Sequence, residues 1–181
     1  MMVVLAGLPG TGKSTLAEAA ARRVEGIVIS KDVVRAALFP EPYVEYSTLQ
    51  DDFVLFQMLQ AAGYLFERHP ALPIFFDGRT FSQNYQLVIA LEGAKQLHQQ
   101  WRVIECVCAE DTARRRLEQD AAAGTHPAKN RSYALYQQVR ASFQPIPEPK
   151  LVVDTGRPLD ECVRAVVDYI RSGAVSAAES R

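Results

Sequence analysis

The sequence has no long apolar run and no surplus of one charge. Its apolar stretches, such as Leu72 to Phe76, stop far short of the ~20 residues that a membrane-spanning helix needs. No basic leader precedes the first apolar run, so a signal peptide is not expected. Twenty basic and twenty-one acidic residues leave a formal charge of -1 and a pI near 6.3. That balance excludes the dense basic face on which unselective binding to nucleic-acid phosphates depends, while leaving room for a small basic cleft. Cysteine is scarce: three residues, an odd number, make no disulfide framework, and a reducing cytoplasm is the expected setting. His69, His98 and His126 lie far apart without ligand spacing, so they give no reason to expect a structural metal. Cys106 and Cys108 alternate on an apolar stretch and read as core strand residues, and Cys162 reads the same way on a helix.

What is present is an ordinary globular composition, 48% hydrophobic and 23% charged over 181 residues. This length corresponds to about one domain, expected over residues 1–173, with a frayed tail at 174–181. Neither internal repeats nor low-complexity segments appear. Apolar runs alternate with helical stretches along the chain. Strands are expected at Val3 to Ala6, Gly26 to Ile29, Pro73 to Phe76, Val103 to Val107 and Leu151 to Val153. Helices are expected at Lys13 to Arg23, Val33 to Leu38, Thr48 to Arg68, Gln83 to Gln99, Asp111 to Ala121, Ser132 to Phe143 and Leu159 to Arg171. Strands that alternate with helices, and are continuously apolar, predict a parallel α/β sheet buried under helices on both faces.

The segment Gly7-Leu8-Pro9-Gly10-Thr11-Gly12-Lys13-Ser14 matches G-x-x-x-x-G-K-[ST] without a gap. An apolar strand precedes it and a helix follows, as this phosphate-binding loop requires. Glycines let the backbone turn its N–H groups inward around phosphate oxygens, and the helix adds the positive end of its dipole. ATP with Mg²⁺ is the expected cofactor pair. Leu8, Pro9, Gly10, Thr11 and Gly12 would wrap the phosphates, and Lys13 would bridge the β- and γ-phosphates. Ser14 would hold Mg²⁺ through its hydroxyl, and Thr15 lies close enough to bond an α-phosphate.

The second strand runs into Ser30-Lys31-Asp32-Val33-Val34-Arg35. In an open parallel sheet, residues beyond the carboxyl ends of strands face the ligand crevice. Asp32 is therefore expected to take a proton from an attacking hydroxyl, unless it serves only to cap the helix. Arg35, one turn on, would clamp a polar or anionic acceptor. Asp77, at the end of the third strand, sits where such folds keep a carboxylate near Mg²⁺ or the acceptor, unless it is only a turn residue before Gly78; no Glu follows it, which argues against a water-polarising mechanical ATPase. Arg114, Arg115 and Arg116, with Lys129 and Arg131 in the polar loop that follows, suggest a basic lid over about 118–133 that closes on the γ-phosphate. The competing reading is a solvated helix face carrying an i,i+4 pair from Arg116 to Asp120.

On these motifs the chain resembles the small P-loop kinases, AAA-type ATP-binding domains of the kinase kind. The group includes the polynucleotide 5′-hydroxyl kinase domain, chloramphenicol phosphotransferase, gluconate kinase and the zeta toxins. The likeness runs through the loop at 7–14, S-x-D-x-x-R at 30–35, Asp77, R-L at 116–117, F-x-P-I-P-E-P at 143–149 and V-V-D-T at 152–155. It implies a P-loop NTPase three-layer sandwich with sheet order 2-3-1-4-5, Asp32 as base, Arg35 on the acceptor and a lid arginine on the ATP phosphates. Where relatives commonly read R-L-x-x-R, this chain has Asp120 in the last position. The role of that second arginine falls to Arg116, Lys129 or Arg131, or is absent.

Between the second and third strands lie Tyr43, Tyr46, Phe53, Phe56, Tyr64 and Phe66. Most are expected in the core, with Tyr43 and Tyr46 the exceptions able to line an acceptor site. Glu41, Glu45, Asp51 and Asp52 make this an acidic rim, which favours a neutral or cationic small molecule over a nucleic-acid strand. The expected activity is transfer of the γ-phosphate of ATP to a hydroxyl of a small acceptor. A polynucleotide 5′-kinase and a non-catalytic ATP-binding protein are the alternatives. The oligomeric state is left open.

Overall fold

The computed structural model of the chain describes residues 1–123 and 132–172. Five parallel strands form one sheet: β1 (Met2–Ala6), β2 (Ile27–Ser30), β3 (Ile74–Asp77), β4 (Trp101–Val107) and β5 (Leu151–Asp154), in the order β2-β3-β1-β4-β5. The helices between them are α1 (Lys13–Arg23), α2 (Lys31–Leu38), α3 (Thr48–Arg68), α4 (Asn84–Gln96), α5 (Glu110–Ala123), α6 (Tyr133–Ala141) and α7 (Leu159–Arg171). A 3-10 turn, Glu41–Tyr43, separates α2 from α3 where Pro40 and Pro42 interrupt the helical pattern. This is the expected P-loop NTPase sandwich.

Two cores form because side chains on a strand alternate faces. From β1, Met2, Val4 and Ala6 pack with Val54, Met58 and Phe66 of α3 and Leu87 and Ala90 of α4. Val3 and Leu5, pointing the other way, meet Leu16, Ala17 and Ala20 of α1 and Val163, Val166 and Ile170 of α7. β1 and β3 are buried throughout, whereas the outer strands β2 and β5 are only partly covered.

The element boundaries differ from the sequence expectations by up to three residues, and one difference matters. Helix α2 begins at Lys31 rather than Val33, so Asp32 lies within its first turn and Ser30 occupies the N-cap. Asp32 is thus not the residue that caps the helix. The register Ser30↔Asp77 sets the ends of β2 and β3 side by side, which brings Lys31, Asp32 and Asp77 to the same edge of the sheet. Half of the expected lid, including Lys129 and Arg131, and the expected tail lie outside the described residues.

Candidate active site

The phosphate-binding loop bridges β1 and α1. Gly7, Gly10 and Gly12 take φ of +131°, +76° and +75°, conformations that side-chain-bearing residues rarely adopt. At Gly10 the space is closed as well, since a Cβ there would lie 2.7 Å from the Ala113 carbonyl oxygen. Gly12 N-caps α1 without a side-chain bond, so the first N–H groups of that helix remain for a ligand. Lys13 is buried and donates to the carbonyls of Gly7 and Leu8 at 2.9 and 2.8 Å. Thr11 turns both its hydroxyl and its N–H onto Leu8 O, at 2.8 and 3.4 Å, which holds the turn of the loop. Leu8 packs on Ala113, Leu117 and Tyr136.

This loop floors a cleft of about 670 Å³, large enough for two small ligands together. Pro9, Gly10, Gly12, Lys13, Ser14 and Thr15 line it from the loop, Asp32 and Arg35 from α2, and Arg116 from α5. The structure therefore gathers most of the sequence-predicted site residues around one space. Arg131 lies outside the described residues. Asp77 does not line the cleft: it is 3% exposed and borders a small void with Lys31, Phe76 and Arg79. Its Oδ1 is buried with no hydrogen-bond partner among the described residues.

Arg116 is held rather than loose. It donates to Thr155 Oγ1 at 3.1 Å and to Thr155 O at 2.8 Å. The Thr155 hydroxyl in turn donates to Thr11 O at 2.8 Å. A guanidinium is thereby fixed on the flank of the phosphate loop, and a Cβ on Gly12 would come within 3.3 Å of it. Its neighbours Arg114 and Arg115 point to solvent, and Arg114 pairs with Glu118 at 2.8 Å. Of the three arginines, Arg116 lines the cleft and the other two do not.

The opposite end of the cleft is a knot of charge. Asp32 Oδ1 accepts from Arg35 Nη1 at 3.1 Å and lies 3.8 Å from Lys31 Nζ. Lys31 Nζ donates to both carboxylate oxygens of Asp51 at 2.9 Å, and Arg35 Nη2 also pairs with Asp51. Arg79 pairs with Asp52. Burial pushes the Lys31 ammonium down to about 8, against the attraction of Asp32. Gly78, at φ +89°, lets the chain after β3 close on α2, since a Cβ there would lie 3.1 Å from the Lys31 backbone nitrogen and Cβ. Asp51 is in the first turn of α3, which Ser47 caps by accepting from Gln50 N at 3.2 Å. A carboxylate there also suits the positive end of the helix dipole.

A family model for the AAA domain matches residues 2–146. The chain belongs to the AAA domain family. Solved structures of similar fold include a Chloroflexus aurantiacus protein provisionally assigned as a kinase, 24% identical, with 94% of this chain and 96% of that one covered and a TM-score of 0.71. The APS kinase CysC of Mycobacterium tuberculosis, solved with AMPPNP and APS, is 18% identical over 93% and 96% of the two chains, with a TM-score of 0.70. A gluconokinase from Sinorhizobium meliloti is 16% identical over 92% and 89%, with a TM-score of 0.66. No curated protein sequence matches the chain. The fold is the one that these kinase structures share. The Thr155 brace lies beyond the stretch that the family model matches.

Two expectations for this AAA-domain chain need correction. Of the aromatic residues, only Phe66 is in the core; Phe53, Phe56 and Tyr64 are 49%, 55% and 58% exposed. The reason is helical phase. Leu55, Met58, Leu59, Ala62 and Phe66 form the stripe of α3 that faces the sheet, and the other aromatics fall off it. Tyr46 alone among the six lines the cleft, with the Arg35 guanidinium 5.2 Å from its ring centroid. The acidic rim is also not a free negative surface, because Asp51 and Asp52 are both paired to cations. Sequence reasoning missed Lys31, Arg79 and Thr155 as site residues. The first two flank the aspartates it did select, which was the available signal. Thr155 stood in a quoted motif with no role attached.

Proposed function

We propose that the protein is an ATP-dependent kinase that transfers the γ-phosphate to a hydroxyl of a small-molecule acceptor. The observation that carries this reading is the single cleft with a phosphate loop at one end and Asp32 at the other. Backbone N–H groups of Gly10 and of residues 12–15, with the Lys13 ammonium, hold the triphosphate, and Arg116 neutralises charge along its flank. Arg35 and Lys31 fix the Asp32 carboxylate in one orientation. Asp32 then accepts the acceptor's hydroxyl proton as the new oxygen–phosphorus bond forms and the bond to the β-phosphate oxygen breaks, releasing ADP. Arg35 acts on the base, since both of its Nη groups are committed to carboxylates. This differs from the role of acceptor clamp that the sequence suggests.

The Ser14 hydroxyl opens on the cleft and would hold Mg²⁺ there; the unpartnered carboxylate oxygen of Asp77 is buried off the cleft and does not open on the same space. Bound at Ser14, the ion would neutralise charge on the β- and γ-phosphates. Among the described residues no helix is long and apolar enough to cross a membrane, and the three thiols are free; we infer a cytoplasmic enzyme. A nucleic-acid acceptor is disfavoured by the balance of charge around Asp32.

The test is transfer of labelled γ-phosphate from ATP into pooled sugars, nucleosides, aminoglycoside- and phenicol-type alcohols and 5′-hydroxyl oligonucleotides. The expected result is a labelled product that falls by about 100-fold or more in Asp32→Asn, the scale of a general base. ATP bound without product in any pool would instead indicate a binding protein. Hydrolysis left unchanged by the variant would remove Asp32 from the chemistry.

A further inference from the structure

Beside the acceptor end of the cleft, Lys31 and Arg35 share Asp32 and Asp51, and Arg79 forms a separate pair with Asp52. Arg35 is 2% exposed, with one Nη on Asp32 and the other on Asp51. The Lys31 ammonium sits symmetrically on the two oxygens of Asp51 at 2.9 Å. Arg79, 3% exposed, is paired with Asp52. In each pair the carboxylate is the more open member. The Asp51 side chain is 23% exposed against 10% for Lys31 and 2% for Arg35, and that of Asp52 is 32% exposed against 3% for Arg79.

These facts fix what an incoming ligand meets. Asp32 and Asp51 both line the cleft, and of the paired groups Lys31, Asp32, Arg35 and Asp51 the Asp51 carboxylate is the most open; its oxygens accept hydrogen bonds from O–H groups. Each carboxylate is already neutralised by a cation behind it. Of Lys31, Arg35 and Arg79, the nitrogens left without a partner are Arg35 Nε and Arg79 Nε and Nη1, and all three are buried; a carboxylate or phosphate on the acceptor would therefore face the carboxylate oxygens first, a like-charge contact that disfavours it. An ammonium on the acceptor would find the carboxylates already paired, and displacing Lys31 or Arg35 would leave a buried charge alone. A hydroxyl-rich neutral molecule donates to the exposed oxygens and disturbs nothing.

Resting on the kinase reading above, we propose that Asp51 determines acceptor specificity. By occupying both Lys31 and Arg35 it makes this end of the cleft a site for an uncharged polyhydroxy acceptor, a polyol or sugar, and turns away acceptors bearing a carboxylate or phosphate.

The experiment compares one carbon skeleton in several charge states. Phosphoryl transfer from ATP is measured with a hexose, its alditol, the aldonic acid, the hexose monophosphate and the hexosamine, and with the pentose equivalents. A 5′-hydroxyl oligonucleotide is included as a separate acceptor. Wild type is expected to favour the uncharged members by about tenfold or more in kcat/KM over the acids, phosphates and amines. Asp51→Asn uncovers two cations and is expected to shift preference toward the acids and phosphates, while Asp51→Glu keeps the wild-type order. Melting temperature and ATP affinity are recorded for each variant. If Asp51→Asn does not fold, the wild-type series and Asp51→Glu still decide the question.

A wild-type preference for acidic, phosphorylated or amino acceptors would overturn this inference and leave the kinase reading intact. Unchanged discrimination in a folded Asp51→Asn would remove Asp51 from the role. Transfer to none of these acceptors, with product formed in the wider pools above, would overturn this inference alone; no product in either set, with ATP still bound, would overturn the kinase reading and this inference together.

Discussion

In the phosphate half of the cleft the shape is set by backbone, with three glycines at positive φ and a helix that begins without a side-chain cap. In the acceptor half it is set by ion pairs between side chains of α2, the first turn of α3 and the segment after β3. The first half is contiguous in sequence and the second is gathered from three segments between residues 31 and 79. Backbone N–H groups recognise any phosphate, so that half tolerates little change. Side-chain pairs can be exchanged one at a time, so the acceptor half is where specificity can vary within the same frame.

The comparison is broken most severely by Gly10→Val. A Cβ at this position meets the Ala113 carbonyl at 2.7 Å and the Leu117 side chain at 2.9 Å, and the required φ of +76° is one that a β-branched residue avoids. ATP affinity, read by calorimetry, is expected to fall by about 100-fold or more, on the scale of several kcal/mol for strain and lost phosphate contacts.

A smaller effect sharpens the acceptor side. Burial lowers the Lys31 ammonium from its ordinary 10.5 to about 8 in the folded protein. Between those values the unfolded chain binds more protons than the folded one, so folding stability rises with pH across the window. Below about pH 8 Lys31 is charged in both states and its burial cost is fully present. Lys31→Met is expected to abolish this contribution, seen as a flatter profile of urea midpoint against pH between 8 and 10.5. An identical profile in the variant would mean that the ammonium is not desolvated.

Thr155→Val probes the brace between the halves of the fold. It removes the hydroxyl that accepts from Arg116 and donates to Thr11 O. The KM for ATP is expected to rise about tenfold, the scale of one hydrogen bond to a charged group, with acceptor preference unchanged. The smallest effect belongs to Phe56→Gln. Phe56 is 55% exposed and does not line the cleft, so stability should move by no more than ~0.5 kcal/mol and transfer not at all.

The difference between the halves also explains what could be read from the sequence. The strands, the helices and the phosphate loop were legible because periodicity and a contiguous motif encode them. Thr48–Arg68 and Leu159–Arg171 have the expected boundaries. The pairing of Asp51 with Lys31 and Arg35 was not legible, because an ion pair across twenty residues leaves no spacing rule. From sequence those aspartates look like an acidic rim, and only the packing of α3 on α2 turns them into counter-ions. The exposed aromatics were misjudged for a related reason. A helix with apolar residues on several sides does not announce which stripe will meet the sheet.

The central claim is that one half of the cleft holds ATP while Asp32 in the other half performs the proton transfer. It is tested most directly by measuring ATP affinity and γ-phosphate transfer side by side in wild type and Asp32→Asn. The account predicts ATP affinity within about twofold of wild type and transfer reduced by about 100-fold or more. Equal transfer in the two proteins, or a loss of ATP binding that accounts for the lost transfer, would contradict it.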